Sequence, residues 1–529
     1  MSTQLLKTIA TVAACLILGL FILVDVLTGT GNALANTYLY AAIGGFLLGL
    51  AAPKNSIIPI LLLSVNVDLL KRFMVVYGYT AEQDLYWIMG LAPLMLFGIV
   101  LNLVLSHLTG KARLPQEHQI LFIVATILCS ALTISQIVSQ GFGGRALGNA
   151  INGGLYWYLI FAIPVLYSSV EERAKLLKVI FVIFVPVALY MFWHYFVGLN
   201  DFELDYLASG LSIEGRVLFQ NTGALNGIDG GLRGFSTMSG ASVVSTMLST
   251  LVLLVMTPID QLGARFKIRS WMLRLSVATL FIVAAYFTMT RKGWFCGLCA
   301  VAAYWALRNK VTIVLFYTTA IVTFVAVVLA SSAIVKYRLL DEFQVKLHSI
   351  ISPGDNVTQQ KVLIMGTMYD RFKGWSNLTE PDIWTPFGFK IAGMEKELDK
   401  ETATRMWGHD ITVDLLIKLG YVPLFFIGVG AVFGAYWLHS NLLAIPNGTR
   451  ERKIATLCLA LAMGISFGAF ANANQLKAFP QNLYAFLFLG ITAATILENR
   501  AKQRVISLEP ASEDDARENR AVRLEAIEV

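Results

Sequence analysis

The chain repeats long apolar stretches along most of its length, and this repetition constrains its fold more than any other feature. A helix needs about 20 apolar residues to cross the roughly 30 Å hydrocarbon core of a bilayer, where its backbone groups must bond to one another. Charged residues make up only 14% of the chain, against about a quarter in soluble proteins. We therefore predict an all-α polytopic membrane protein with 12–14 transmembrane helices. The apolar windows cover 8–29, 37–53, 56–70, 86–107, 119–138, 151–170, 176–197, 239–258, 271–289, 293–307, 312–335, 411–438, 454–472 and 482–498.

Windows 37–53 and 56–70 are short and are separated by the sequence PKNS. They fit either two spans or one re-entrant hairpin. Both alternatives leave the orientation of the other windows unchanged, because two spans are removed or kept together.

The basic residues near the window ends predict the orientation, since cytoplasmic loops retain Lys and Arg. Alternate loops are basic, and Lys7, Arg500, Lys502 and Arg504 fall on the same side, so both termini are predicted to be cytoplasmic. The net charge of +7 follows from this bias and does not indicate a nucleic-acid partner. The basic loops are GKARLPQEH (110–118), EERAKLLK (171–178), ARFKIRSWMLR (264–274), RNK (308–310) and RERK (450–453).

Two long segments, 198–238 and 336–409, fall on the opposite, extracytoplasmic side. Connections of this length are usually lids or binding loops, and we expect one or two short helices in the second segment. The predicted organisation is 1–197 N-terminal transmembrane helices, 198–238 extracytoplasmic loop, 239–335 transmembrane helices, 336–409 large extracytoplasmic loop, 410–499 C-terminal transmembrane helices and 500–529 solvated cytoplasmic tail.

Several basic residues break the topological rule, because they fall at the extracytoplasmic ends of spans. Snorkelling of the side chains to lipid phosphates is one explanation. An anion site is the other, since guanidinium groups match the oxygens of phosphate, and the ligand would be a lipid-linked phosphate or diphosphate. These residues are Arg233, Arg291, Lys292, Arg145, Lys71 and Arg72.

A titratable group also falls on this side, in the sequence GHDITVDLLIKLG (408–420). His409 is either an interfacial anchor or a general base, since its reference pKa is near neutrality. Asp410 is predicted to cap the following helix. Asp414 and Lys418 are four residues apart, a spacing that suits an ion pair within one helix, and Asp414 either orients the site or only neutralises Lys418.

The remaining small residues predict packing. All five cysteines, Cys15, Cys129, Cys296, Cys299 and Cys458, fall in apolar windows and are predicted to be free thiols, without a disulfide or a zinc site. The sequence GVGAVFG, with Gly428, Gly430 and Gly434, predicts close contact with a neighbouring helix.

Four motifs in order resemble the O-antigen ligase and polymerase superfamily of bacterial membrane glycosyltransferases. LRGFSTMSGASVV (232–244) is similar to the family's Arg-x-x-Gly segment, and TMTRKGWFCGL (288–298) to its Ser-Arg-Gly-x-x-x-Gly-Leu helix start. DRFKGW (370–375) with PFGFKIAG (386–393) resembles a pair of loop motifs. GHDITVDLLIKLGYVPL (408–424) resembles the hallmark His-Asn motif followed by Gly, with Asp410 in place of Asn.

The resemblance implies a GT-C-like, inverting, metal-independent glycosyltransferase at the periplasmic face of the bacterial inner membrane, with no cofactor. The donor would be a glycan on undecaprenyl diphosphate, and the acceptor a sugar hydroxyl of another glycan or of lipid A core. Arg233 and Arg291 would bind the diphosphate, and His409 would activate the hydroxyl. Arg371 is a further candidate for contact with the diphosphate or glycan. The secondary candidates also include Asp410, Asp414, Lys292 and Arg145.

Two activities fit this resemblance, and other classes remain open. A polymerase joins lipid-linked repeats and works with a chain-length regulator, whereas a ligase moves the finished glycan to its final acceptor. The length of the chain and its large aromatic loop favour the polymerase. A flippase for the same lipid-linked sugars would show internal repeats and charges at mid-membrane, and a structural scaffold would tolerate replacement of the outer Arg and His residues.

Overall fold

A computed structural model describes residues 33–77, 85–140, 148, 150–151, 153–209, 234–258, 267–336, 374–388, 411–470 and 479–508. These ranges are almost entirely helical, and no β-strand occurs in them. The α-helices are α1 (Ala33–Ala51), α2 (Ile57–Tyr77), α3 (Leu85–Leu108), α4 (Gln116–Gln140), α5 (Leu159–Leu166), α6 (Val170–Phe196), α7 (Asp201–Ala208), α8 (Ala241–Met256), α9 (Lys267–Phe287), α10 (Arg291–Ala306), α11 (Lys310–Lys336), α12 (Ile411–Leu419), α13 (Tyr421–Ala444), α14 (Arg450–Phe467) and α15 (Gln481–Leu508).

Six of these helices, α3, α4, α6, α11, α13 and α15, are long and apolar enough to cross a membrane by length and composition. Shorter apolar helices are found in α1, α8, α9 and the 155–166 region that contains α5. The prediction of an all-α polytopic membrane protein is therefore confirmed for the described residues. The total of 12–14 spans stays a prediction, and window 8–29 lies outside the described residues.

The windows 37–53 and 56–70 form α1 and α2, which have 19 and 21 residues. At 1.5 Å per residue these helices are about 28 and about 31 Å long. Gly49 of α1 and Gly98 of α3 let the two helices approach closely, since a Cβ on Gly49 would lie 2.1 Å from the carbonyl oxygen of Met95. Neither helix is among the six that are both long and apolar enough to cross a membrane, so two spans and a re-entrant hairpin both stay predictions.

The window 411–438 is not one continuous helix, which corrects the prediction of a single span there. Gly420 has φ of +83° and separates the short α12 from α13. A Cβ at this position would lie 2.4 Å from the Cα of Phe387, so both the conformation and the space require glycine. With 24 residues, α13 is long enough to span by itself.

The predicted close packing at GVGAVFG is wrong for the described part of the chain. A Cβ added at Gly428, Gly430 or Gly434 would meet no heavy atom within 4 Å. None of the apolar window of α13 is buried, whereas 89% of that of α15 is buried. The centre of the bundle is thus formed by α15 with its neighbours α14 and α5, and α13 lies at the periphery.

Residues of several predicted basic loops meet at one end of the bundle, which we call the basic end. Arg173, fully buried, pairs with Glu498, and its Nη1 donates to the carbonyl oxygen of Tyr167 at 2.9 Å. Further ion pairs at this end are Lys54–Glu172, Arg450–Glu171, Lys502–Glu451 and Arg504–Glu117. These contacts join residues of the predicted basic loops 110–118, 171–178 and 450–453, while the alternation along the chain and the assignment of this end to the cytoplasm stay predictions.

The last helix continues past its expected end. α15 extends to Leu508, so residues 500–508 of the predicted tail are helical, and residues 501–504 are exposed to solvent as predicted. Lys502 and Arg504 explain this extension, because both make ion pairs with residues of other helices. Residues 509–529 of the predicted tail lie outside the described residues.

Candidate functional site

The predicted site residues are divided between described and undescribed parts of the chain. Arg291, Lys292 and Asp414 are described, and Cys129, Cys296, Cys299 and Cys458 are free, as predicted. The candidates outside the described residues are His409, Arg233, Arg371, Asp410 and Arg145.

Arg291 is the first residue of α10, at the end of the bundle opposite the basic end. Its side chain is exposed and makes no ion pair within the described part of the chain, whereas Lys292 is only 8% exposed. Two cations in the first turn oppose the helix dipole, whose positive end is at the N-terminus, and each such charge costs about 0.3–1 kcal/mol. No acidic residue compensates in this turn. An anion bound at Arg291 would offset this unfavourable interaction between the cations and the helix dipole.

Two glycines set the position of α10 against α8. A Cβ on Gly293 would lie 1.9 Å from Ser245 Oγ and 2.5 Å from the carbonyl carbon of Ser245, and one on Gly297 would lie 3.0 Å from Ser249 Cβ. Small residues four apart allow such close contact between membrane helices. Ser245 Oγ also donates to the carbonyl oxygen of Thr290 at 3.1 Å, so α8 holds the residue directly before Arg291.

The segment 234–240 forms a turn that leads into α8, and a buried arginine binds it. Arg72 of α2 is 2% exposed, and its Nη1 donates to the carbonyl oxygen of Ser236 at 2.6 Å and to Glu203 Oε1 at 2.9 Å. Its Nη2 donates to the carbonyl oxygen of Met238. The guanidinium also lies 4.2 Å from the ring centroid of Phe235. Arg72 therefore contacts three residues of the turn and one carboxylate.

His194 of α6 completes this cluster. The backbone N–H of Ser236 donates to His194 Nδ1 at 3.1 Å, so the proton of the neutral ring is on Nε2, which donates to Glu203 Oε2 at 2.9 Å. Burial alone would raise the pKa of Glu203, but the hydrogen bond from His194 and the charge of Arg72 outweigh burial and hold that pKa below its usual range. We call Arg72, His194 and Glu203 the Arg72 clamp.

The last two turns of α6 contact both segments that lead to the predicted arginines. Gly234, the residue after Arg233, packs so closely that a Cβ there would lie 2.1 Å from Met191 Cε. Phe287, at the end of α9 and four residues before Arg291, stacks on Tyr195 with 3.9 Å between ring centroids. The fold thus brings the described neighbours of Arg233 and Arg291 to one end of one helix.

A shallow depression with a cavity volume of about 10 Å³ lies beside the clamp. Its lining carries both signs of charge, and Lys71 Nζ pairs with Asp68 Oδ1 at 3.0 Å. It is small, and its charges already have partners, so it is not a binding site for a glycan. Its lining residues are Asp68, Lys71, Arg72, Tyr206, Leu207, Phe235 and Ser239.

A second part of the opposite end is formed by residues 374–388, which dock on the α12–α13 joint. The backbone N–H of Tyr421 donates to the carbonyl oxygen of Thr385 at 2.9 Å, and that of Val422 to the carbonyl oxygen of Pro386 at 3.2 Å. A Cβ on Gly388 would lie 1.9 Å from the carbonyl oxygen of Lys418. This docked segment contains short 3₁₀ turns at Asn377–Thr379 and Pro381–Ile383.

The segment that contains His409 is therefore tied to α12 at both of its ends. It begins after Gly388, which contacts Lys418, and it ends at Ile411, where α12 starts. Ile411 and Lys418 are separated by seven helical residues, or about 10 Å along the axis. The described residues on either side of 389–410 therefore both lie at one short helix.

The predicted ion pair of α12 is confirmed. Lys418 Nζ lies 2.7 Å from Asp414 Oδ1, and the two side chains are 30% and 15% exposed. Asp414 is therefore neutralised within its own helix. Among the described residues, no group of three or more His, Cys, Asp or Glu side chains could hold a metal ion.

Sequence reasoning missed His194 and Glu203. The sequence analysis does identify Lys71 and Arg72 as basic residues on the side that disfavours positive charge. The structure gives a reason for Arg72, which is buried there in an ion pair with a carboxylate. The partner could have been sought among the acidic residues of the neighbouring outer segment, where Glu203 occurs in DFELDYLA.

Comparisons with protein families, with curated proteins and with solved structures found no match to this chain. Membership in the O-antigen ligase and polymerase superfamily therefore stays a prediction. Function is inferred from the residues of the chain itself.

Proposed function

We propose that the chain is a GT-C-like membrane glycosyltransferase that transfers a glycan from undecaprenyl diphosphate to a sugar hydroxyl at the periplasmic face of a bacterial inner membrane. The observation that carries the proposal is the exposed guanidinium of Arg291 on the first turn of α10, at the end of the bundle opposite the ion-paired basic residues; it makes no ion pair with any residue that the structure describes. An anion is the ligand that this arrangement favours, since the guanidinium and the helix N-terminus are both positive.

The proposed chemistry divides the work between two kinds of residue. His409 takes the proton of the acceptor hydroxyl as its oxygen attacks the anomeric carbon of the donor, and general base catalysis of this kind contributes about 10²–10⁴ in rate. The new glycosidic C–O bond forms as the bond to the diphosphate breaks, with inversion. Arg233 and Arg291 stabilise the negative charge that develops on the departing diphosphate, so no metal ion is required for that role.

Two features of the fold support this division. The segments that flank Arg233 and Arg291 both contact the last turns of α6, through Gly234 and Phe287. Gly388 and Ile411, the described residues on either side of the segment that contains His409, both lie at α12. The large loop 336–409 would cover the site and hold the acceptor glycan.

Within this proposal we favour a polymerase over a ligase, because the long aromatic loop suits a second bound glycan. The partners would then be an acceptor glycan, the lipid bilayer and a chain-length regulator. A flippase for lipid-linked sugars is the second candidate from another class. Asp68, 2% exposed within α2, is the residue that favours it, since a buried acid in a membrane helix is often functional.

The experiment that tests the proposal is glycan analysis in a deletion strain complemented with variants, with membrane insertion checked by immunoblot. His409→Ala, Arg233→Ala and Arg291→Ala are compared with wild type and with Arg504→Ala, a matched control at the basic end whose guanidinium pairs with Glu117. Arg291→Lys keeps the charge and loses the forked donors, so we expect activity between wild type and Arg291→Ala.

The glycan pattern distinguishes the alternatives. Loss of long chains, with single repeats still reaching the cell surface, identifies a polymerase. Full-length glycan retained on the lipid carrier identifies a ligase. If the three variants insert well and make wild-type glycan, the proposed site is wrong, and retention of undecaprenyl-linked material on the cytoplasmic side in an Asp68→Asn strain would point to the flippase.

A further inference from the structure

We propose that the basic end binds the phosphate of an anionic phospholipid at the connection between α10 and α11. This connection consists of residues 307–309, and we call it the α10–α11 junction. The inference concerns the end of the bundle opposite Arg291, so it does not rest on the proposed glycosyl transfer.

Arg452 of α14 is a buried cation that lies at this junction. It is 6% exposed, and its Nη2 donates to the carbonyl oxygen of Leu307 at 3.0 Å and to that of Arg308 at 3.4 Å. Its Nη1 is buried and has no hydrogen-bond partner in the part of the chain that the structure describes. The bonds of Nη2 cap the end of α10, but they leave Nη1 and the positive charge without a carboxylate. A buried charge in this state is costly, so a partner for it is expected.

The N-terminus of α11 lies at the same junction. Asn309 Oδ1 accepts from the backbone N–H of Thr312 at 2.9 Å, while the other N–H groups of a first helical turn have no partner within the helix. The positive end of the dipole of this 27-residue helix is also here, and such a helix end is suited to phosphate. Arg452 bonds to the two residues directly before Asn309, so the buried guanidinium and the helix N-terminus lie side by side.

Further positive charge surrounds the junction without acidic residues to balance it. Arg308 and Lys310 are exposed, and neither makes an ion pair within the described ranges. No acidic residue occurs in the sequence of α10 or α11. Glu451, which precedes Arg452, already pairs with Lys502. An anion from outside the chain would therefore balance this charge, with Arg308 and Lys310 contacting it at the surface and Arg452 supplying charge beneath.

The surface beside the junction favours a lipid as the source of the phosphate. Only 6% of the apolar window of α11 is buried, and Val311, Val314 and Leu315 at its start are 77%, 59% and 60% exposed. Trp305, in the last turn of α10, is 57% exposed, and tryptophan is typical of the bilayer interface. Acyl chains that lie along α11 would place a lipid phosphate level with the junction, and basic pockets between membrane helices bind such head groups. Free phosphate would gain nothing from this apolar surface.

The test removes the exposed charges first, because their removal leaves the buried contacts intact. Arg308→Gln/Lys310→Gln is compared with wild type and with Lys111→Gln/Arg113→Gln, which removes two exposed cations from another basic loop. Delipidated full-length protein in detergent is titrated with phosphatidylglycerol or with zwitterionic phosphatidylcholine. Bound lipids are counted by native mass spectrometry.

For a site at the junction, we expect wild type to bind the first phosphatidylglycerol about tenfold more tightly than phosphatidylcholine, since basic groups near the membrane surface attract anionic lipids. The junction variant should lose this preference, whereas the control variant should keep it. An equal loss in the control would indicate general attraction to the basic end and overturn the inference. Equal binding of the two lipids by wild type would overturn it as well.

Two variants of Arg452 separate its charge from its capping of α10. Arg452→Gln removes the charge and Arg452→Lys keeps it, while both lose the forked donors. We expect the glutamine variant to bind phosphatidylglycerol about tenfold more weakly than the lysine variant. Equal affinities would show that Arg452 only caps α10, against the inference.

Inorganic phosphate distinguishes the two sources of the anion. We expect phosphate at millimolar concentration to leave phosphatidylglycerol bound to wild type, because the acyl chains add contacts that free phosphate lacks. Displacement of the lipid would identify free phosphate as the ligand and refute the assignment to a phospholipid.

Discussion

Replacement of Gly293 by alanine should separate α8 from α10 and destabilise the bundle. The added Cβ would lie 2.5 Å from the carbonyl carbon of Ser245, whereas carbon atoms in contact are normally about 3.5–4.0 Å apart. The serine hydroxyl can rotate away, but the backbone carbon cannot, so the helices must move apart by about 1 Å. Overpacking of this kind typically costs about 1–3 kcal/mol.

The matched control is Gly430→Ala in α13, where a Cβ meets no heavy atom within 4 Å. Both variants gain the helix propensity of alanine, about 1 kcal/mol relative to glycine, so this term cancels when they are compared. We expect Gly293→Ala to be less stable than Gly430→Ala by about 1–3 kcal/mol, and Gly297→Ala, with its nearest contact at 3.0 Å, to lie between them.

The assay is thermal unfolding in detergent, followed by the fraction that remains monodisperse on size-exclusion chromatography. Equal stability of Gly293→Ala and Gly430→Ala would refute the close approach of α8 and α10. If the approach is correct, Gly293→Ala should also reduce glycan assembly, because α10 carries Arg291.

Three further predictions follow from the ion pairs. The pKa of Glu203 is lowered in the fold by His194 and Arg72. This carboxylate therefore stabilises the fold at pH values above the ordinary carboxyl pKa range, and this stabilisation is lost as pH falls through the folded pKa. Thermal unfolding midpoints should fall in acid for wild type and fall less for Glu203→Gln, and parallel curves of midpoint against pH would contradict this. Arg173→Met leaves the carbonyl oxygens of Tyr167 and Ser168 without their donor, while Glu498 keeps its pair with Lys502. We expect a cost of about 1–3 kcal/mol, against at most about 1 kcal/mol for Lys54→Met at an exposed pair, both measured as unfolding midpoints. Asp414→Asn should lower the free energy of unfolding by no more than about 0.5 kcal/mol and leave glycan chain length unchanged. A loss of long chains on gels would instead place Asp414 in the site.

The features predicted correctly from the sequence are those that a local pattern determines. Span-length apolar windows become helices because a helix satisfies its own backbone within lipid. The start of α10 at Arg291 and the pair of Asp414 with Lys418 are likewise set by residues a few positions apart. Neither requires knowledge of which helices are neighbours.

The features that were missed depend on contacts between distant residues. Arg72 meets Glu203 across 131 residues and Ser236 across 164, and no periodicity in the sequence indicates such a pair. The break at Gly420 was missed because an apolar run has the same hydropathy whether it bends or not. What requires glycine there is the approach of Phe387, which belongs to another segment.

The glycines of α13 show the same limit of sequence analysis, because here the pattern predicts a contact that the described fold does not contain. A run of small residues permits close helix contact, but it does not supply the neighbour. In the described fold the close contact is at Gly293 and Gly297, which face Ser245 and Ser249, while Gly428, Gly430 and Gly434 face no other side chain.

The central position of α15 has a consequence for biogenesis. This helix follows every other described helix in the chain, yet 89% of its apolar window is buried, and its Glu498 supplies the partner of the fully buried Arg173. Synthesis proceeds from the N-terminus, so the earlier helices enter the membrane before the helix around which they pack exists. Assembly of the bundle is therefore completed only after residues 481–508 have been synthesised, and a nascent chain stalled before residue 481 lacks the helix around which the others pack.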